Sequence, residues 1–144
     1  MNIATVLASK GVKVVTVQPE QTIREGLALL AEHNIGALVV VDETQKPVGI
    51  VSERDIVRAL AKTETVFAWS VSRIMTKEVI IGAPQDDLAA VGYTMTERRI
   101  RHLPVMERGK LVGIVSIGDI LKAQRDHYQG EVDTLQLQLL KSQP

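Results

Sequence analysis

Gly49-Ile50-Val51-Ser52-Glu53-Arg54-Asp55-Ile56 returns 64 residues later as Gly113-Ile114-Val115-Ser116-Ile117-Gly118-Asp119-Ile120. Upstream of this string, Pro19 corresponds to Pro84, Thr22 to Asp87 and Ile35 to Ile100, each 65 apart, so one residue is lost in a turn of the second copy. The chain is therefore an internal duplication. A unit this short cannot bury its apolar faces alone, so the copies are expected to pack on each other. That packing predicts two equivalent clefts, each carrying a Ser-x-x-Asp at a strand-to-helix corner.

Working outward, Val14 to Val17 reads as a strand closed by Gln18-Pro19. Thr22-Ile23-Arg24-Glu25 is a capping box, in which the threonine oxygen takes an orphan helical N–H and the glutamate reaches back. The helix it opens carries Ile23, Leu27 and Leu30 near helical spacing. Ala37 to Val41 is continuously aliphatic, as a strand buried on both faces would be. Val48 to Val51 is the next strand, and Ser52 opens a helix with Ile56, Val57 and Leu60. The second copy repeats the grammar, with a strand at Val79 to Ile81, a helix from Asp87, strands from Leu103 and Leu111, and a helix from Ser116. Each unit is β-α-β-β-α, so the fold class is α/β (α+β).

The expected division is residues 1–68 for the first repeat, 69–125 for the second with its linker, and 126–144 for a tail. Thr63 to Met75 reads as a partly helical bridge. In the tail, Val132, Leu135 and Leu139 share a helical stripe after Gly130, suited to a docking helix and also compatible with a frayed end.

Composition narrows the function. Of 144 residues, 45% are apolar, while 17 basic and 17 acidic side chains cancel. No global field recruits nucleic acid or an anionic membrane. No cysteine is present, which excludes thiolate catalysis and sulfur metal sites. No apolar run reaches the ~20 residues of a membrane span, and Met1 to Leu7 lacks the basic start of a signal peptide. A cytoplasmic location is expected.

The repeated corner carries two readings. Ser-x-x-Asp caps a helix, both side chains satisfying its first N–H groups. The same geometry suits a ligand, since a hydroxyl and free N–H groups attract an anionic oxygen and a carboxylate accepts from both hydroxyls of a ribose. A glycine three residues before each serine permits close approach of a ligand or of neighbouring backbone. Arg98-Arg99-Ile100-Arg101-His102 concentrates cations where the first copy has His33-Asn34-Ile35-Gly36-Ala37. It is either a solvated basic turn or a grip for phosphate, the natural partner of arginine. Lys10-Gly11-Val12-Lys13 is a further basic stretch, placed to lend charge to the first cleft.

Ser52-Glu53-Arg54-Asp55, Arg99-Ile100-Arg101-His102-Leu103-Pro104-Val105 and Ser116-Ile117-Gly118-Asp119 closely resemble stand-alone bacterial proteins of tandem cystathionine β-synthase (CBS) domains, or Bateman modules. The resemblance spans roughly Lys10 to Lys122. It implies repeats packed sheet to sheet, with clefts that bind adenosine-containing ligands. It assigns Asp55 and Asp119 to ribose hydroxyls, Ser52 and Ser116 to the ribose or phosphate, and the backbone near Val14 and Val79 to the adenine edge. Arg101 and His102 fall where related modules hold phosphate, and Arg99 and Pro104 belong to the same string. Arg54 and Gly118 differ at matching positions, so the clefts need not share a ligand.

The resulting expectation is a non-catalytic sensor taking AMP first, then ATP, ADP or NAD(H), with S-adenosylmethionine behind them. It requires no cofactor, forms a homodimer through its repeats, and acts on a separate effector protein. With only 3% aromatic residues, adenine must lie between aliphatic side chains. Three rival readings stand beside this one. Ser116, His102 and Asp119 are the residue types of a hydrolase triad, but Gly113 to Gly118 misses the Gly-x-Ser-x-Gly elbow by one residue. A nucleic-acid binder rests on Arg98 to Arg101 alone. A dimeric scaffold would leave its clefts empty.

Overall fold

The computed structural model describes residues 1–142, and a helix that the sequence reading had not assigned comes first. Asn2 caps α1, Ile3–Lys10, through Thr5 N–H. The first repeat follows as β1 (Thr16–Val17), α2 (Ile23–His33), β2 (Ala37–Val41), β3 (Pro47–Ser52) and α3 (Glu53–Leu60). Two 3-10 turns, Glu64–Ala68 and Val71–Arg73, make the partly helical bridge expected there. The second repeat comprises α4 (Leu88–Glu97), β4 (His102–Glu107), β5 (Lys110–Ser116) and α5 (Ile117–Lys141).

In the first repeat, β1 pairs parallel to β2, and β2 pairs antiparallel to β3. The second repeat keeps the β4–β5 hairpin but reduces its opening strand to one bridge, Gly82 with Val105. The strand expected at Val79 to Ile81 is thus absent. Pro104 explains the loss. It stands where Val39 stands in the first copy, 65 residues earlier, and proline has no N–H with which to continue a ladder upstream of Gly82. Its carbonyl still accepts Gly82 N–H at 2.9 Å. The opening strand of the first copy is likewise shorter than expected, beginning at Thr16 and leaving out Val14 and Val15. The residue missing from the second copy lies in its hairpin loop: five positions, 42–46, separate the last pair Val41–Pro47, and four, 107–110, separate Met106–Leu111.

Each repeat has its own core, completed by a segment from outside it. Val17, Ile23, Leu30, Leu38, Val40, Val51 and Ile56 cluster with Val66 and Val71 of the bridge. Leu88, Met95, Leu103, Val105, Val115 and Ile120 cluster with Ile3, Val6 and Leu7 of α1. The two attachments match bond for bond. Ile23 N–H donates to Trp69 O and Val71 N–H to Gln21 O, while Leu88 N–H donates to Met1 O and Ile3 N–H to Asp86 O. So α1, although it precedes the first repeat in sequence, packs on the second.

The glycine ahead of each corner serves this exchange. A Cβ on Gly49 would collide with Met75, and one on Gly113 would lie 2.6 Å from Leu7 Cδ2. Close approach is by side chains, Met75 and Leu7, and not by a ligand or chiefly by backbone as anticipated for these glycines. All five residues of β2 are buried. Leu38 and Val40 join the core of their own repeat, and Ala37, Val39 and Val41 are buried on the opposite face of the strand.

Two helical stripes differ from expectation. In α2 the buried positions are Ile23, Gly26 and Leu30, with Leu27 exposed; in α3 only Ile56 is buried, and Val57 and Leu60 face outward. As far as Ser142 the tail neither docks on the described body nor frays, and its last two positions, 143–144, lie outside the described residues. It continues α5 without a break through Gly130. No helix among the described residues is long and apolar enough to cross a membrane.

Candidate functional site

Both corners are reciprocal helix caps. Ser52 Oγ accepts Asp55 N–H at 3.2 Å, while Asp55 Oδ2 accepts Ser52 N–H at 2.8 Å and the Ser52 hydroxyl at 3.0 Å. Ser116 Oγ accepts Asp119 N–H at 3.0 Å, and Asp119 Oδ2 accepts Ser116 N–H at 2.8 Å. The capping reading is correct for each copy. It does not exhaust the carboxylates, because every bond falls on Oδ2 and Oδ1 of each takes no donor among the described residues.

The clefts beside the two aspartates are not equivalent, contrary to the expectation from duplication. Asp55 opens on a cleft of about 990 Å³ between the halves, at the upper end of the ~300–1,000 Å³ usual for small-molecule sites. Asp119 borders a hollow of about 410 Å³ between α1 and the start of α5. Lys10 further distinguishes the second corner. Its Nζ lies 2.6 Å from Asp119 Oδ2 and donates to Ile114 O at 2.8 Å. The basic stretch expected to charge the first cleft instead neutralises the second corner. Burial raises the Asp119 pKa, but the Lys10 ammonium and the Ser116 donors outweigh it, so the net shift is downward.

The Asp55 cleft gathers most of the expected residues. Ser52, Arg54, Asp55, Val79, Arg99, Arg101 and His102 all line it, and Arg58, Glu53 and Glu78 join them. Ile50, Ile80, Met95, Ile100 and Ile117 supply the apolar wall, with no phenylalanine, tyrosine or tryptophan. Arg58 was not singled out from sequence; its signal is the helical spacing Arg54–Arg58, which sets both guanidinium groups on one face of α3. None of the four arginines forms a salt bridge among the described residues.

Arg99 is held at φ 55° just past the end of α4, where the first copy has Asn34 at φ 52°. Asparagine tolerates this left-handed conformation and arginine does so poorly. A charged side chain kept there at the cleft edge is a strained position of the kind that accumulates at binding sites.

His102 starts β4, half-buried, close to where Gly36 of the first copy approaches: a Cβ on Gly36 would lie 3.8 Å from its Nε2. Burial lowers its pKa, and the charges of Lys10 and Arg101 lower it further, against smaller opposing effects of Asp119 and Glu53. These effects favour the neutral imidazole.

The other expected residues lie elsewhere. Val14 is half-buried and lines neither hollow, Pro104 is buried within β4, and Gly118 presents no side chain. Ser116 and Asp119 stay with the second corner. The triad types do not assemble, since Ser116 Oγ is engaged by Asp119 N–H and makes no hydrogen bond with the His102 side chain. Among the described residues no cluster of His, Asp and Glu is arranged to hold a metal ion.

The sequence matches the CBS domain family twice, over residues 7–62 and 71–126. A 33.4 kDa protein of a ribosomal RNA operon in Thermofilum pendens is 48% identical over 99 residues, which are 69% of this chain and only 32% of that protein, so the chain spans about a third of its length. The crystal structure of a CBS-domain containing protein from Agrobacterium tumefaciens superposes with a TM-score of 0.82 at 41% identity, covering 86% of this chain and 99% of that one. A CBS domain protein from Pyrobaculum aerophilum, complexed with AMP, gives 0.74 at 30% identity over 83% of this chain and 89% of its own.

Proposed function

The chain belongs to the CBS domain family, and from that premise we propose that it is a non-catalytic regulatory module that binds an adenosine-containing ligand, AMP foremost, in the Asp55 cleft. The observation that carries this reading is a juxtaposition. Asp55, with one oxygen unclaimed, shares a single cleft with four arginines that have no salt-bridge partner among the described residues.

A ligand suited to that cleft has a diol at one end and an anion at the other. Asp55 Oδ1 accepts from the ribose hydroxyls. Arg99 and Arg101, joined by Arg54 and Arg58, face the phosphate, where charge-assisted bonds are strongest. The adenine lies between Ile50, Val79, Ile80 and Ile100, its edge read by the backbone at Val79. ATP, ADP and NAD(H) extend the phosphate along the same arginines, whereas S-adenosylmethionine puts a cation toward them and ranks last. The Pyrobaculum relative's complex with AMP supports AMP as the leading ligand. The module works in the cytoplasm on a separate effector chain, shifting its own arrangement by no more than its ligand's differential affinity allows.

The test is calorimetric titration of the purified protein with adenosine, AMP, ADP, ATP, NAD(H) and S-adenosylmethionine. AMP binding above adenosine, lost with Arg99→Ala and Arg101→Ala together, is expected. Absence of heat with every adenine ligand sinks the sensor and leaves a scaffold. Turnover of any of them would make the protein an enzyme.

A further inference from the structure

We infer that the protruding half of α5 is the contact surface for a second copy of this chain, paired antiparallel as a short two-stranded coiled coil. The helix leaves its own body early. Ile120 is buried and Ala123 and Gln124 are half-buried, but from Arg125 to Ser142 every residue is exposed except Val132. At ~1.5 Å per residue those eighteen residues project roughly 27 Å. The extension is additional to the shared fold, since the family match ends at residue 126 and the Agrobacterium structure is matched over 99% of its length by 86% of this chain.

The exposed apolar side chains are in order. Leu121, Tyr128, Val132, Leu135 and Leu139 follow one another at intervals of seven, four, three and four. Those intervals fit the a/d spacing of a coiled-coil seam and set the five side chains on one narrow face of the helix. Leu121, Tyr128, Leu135 and Leu139 are 60%, 69%, 59% and 66% exposed, so the seam is unoccupied by the chain's own atoms.

What flanks the seam selects a like partner. One side carries Gln124, Glu131 and Gln138, the other Lys122, Gln129 and Gln136. With a single charge on each flank, two identical helices meet without a like-charge row between them, whereas a strongly charged foreign helix would find little to pair with.

Arg125 decides the direction. It occupies a seam position, three residues before Tyr128 and seven before Val132. A parallel, in-register pair would press two Arg125 guanidinium groups together. An antiparallel pair sets Leu121 opposite Leu139 and Tyr128 opposite Val132, and it sends the two arginines to opposite ends. It also carries the off-seam leucines at the tip, Leu137 and Leu140, toward the second copy's body.

The absence of native cysteine makes the test clean. Leu121→Cys and Leu139→Cys are prepared as single variants of the full chain, mixed and oxidised. A disulfide joining the two variants is expected. Its absence, or a Leu139→Cys disulfide formed between two copies of that variant, overturns the antiparallel pairing. Sedimentation equilibrium of the unmodified protein should show a dimer whose dissociation constant rises at least tenfold in Leu135→Asp with Leu139→Asp. Both sites are exposed, so circular dichroism should report an intact fold. A wild-type monomer at all concentrations, or an unchanged dissociation constant, refutes the seam.

Discussion

Lys10 Nζ lies 2.6 Å from Asp119 Oδ2, although 109 residues separate the two in sequence. Among the described residues no cation pairs with Asp55. One ion pair thereby gives two copies of the same corner different electrostatic states, and the chain's duplication no longer implies duplicate sites.

Asp55→Ala should weaken AMP by roughly 10- to 100-fold, the ~1.5–3 kcal/mol of bonds to a charged group. Asp119→Ala should leave AMP affinity unchanged. Each variant loses a helix cap, so a stability loss of ~1 kcal/mol is expected of both and serves as the internal control. Calorimetry on the pair checks the prediction, and equal affinity in the two variants would show that the Asp55 carboxylate is only a cap.

Lys10→Met keeps the aliphatic stem over the protein and removes the ammonium from Asp119. Asp119 Oδ2 then keeps only its cap bond from Ser116, as Asp55 Oδ2 keeps only those from Ser52, and ligand stoichiometry should rise from one toward two per chain. A stoichiometry still at one would place the block elsewhere, and a value of two in the unmodified protein would contradict it outright.

Arg99→Asn should produce opposite changes in stability and affinity. At φ 55° asparagine is the easier residue, so the melting point should rise by an amount equivalent to a few tenths to ~1 kcal/mol. AMP binding should fall as a cation leaves the cleft. Thermal melts with and without AMP read both effects, and a variant that gains stability with full affinity would remove Arg99 from the phosphate grip.

His102 predicts a pH dependence of definite sign. Its pKa in the folded protein is below its ordinary value, so the unfolded chain takes up the proton first. This group's contribution to stability is intact above about pH 6.5 and diminishes as the pH falls below it. An incoming phosphate reverses the preference by stabilising the imidazolium, so AMP binding should take up protons. The ratio of AMP to adenosine affinity should therefore increase from about pH 7.5 to pH 6.5. His102→Asn should flatten both profiles; a slope that persists in the variant assigns the effect to another group.

Much of the architecture was legible because duplication writes each signal twice. The Thr22 and Asp87 caps, the two Ser-x-x-Asp corners and the two hairpins all stand where their spacing placed them. Ser52 and Asp55 line the cleft through that repeated corner, whereas Arg99, Arg101 and His102 come from a cationic run that only the second copy carries. What could not be read was set by distance along the chain. Lys10 finds Asp119 only after folding, and α1 has no counterpart in the repeat pattern, its place being set by Leu7 filling the space above Gly113. The lost strand near Val79 did have a signal, the proline at 104, but its meaning depends on the residue facing it across the ladder. Val14 was misplaced for the same reason: the first copy's opening strand starts two residues later than its aliphatic pattern suggested.

The crossed-over lead segments bear on how the protein comes apart. Excising either half would strip Ile3, Val6 and Leu7 from one core or Val66 and Val71 from the other, so neither half is a self-sufficient domain. Melting should proceed as one event, and a nick in the bridge should leave two fragments that hold each other in register. A ligand wedged into the seam between such interlaced halves is felt by both at once, giving a small molecule leverage over the whole body of the protein.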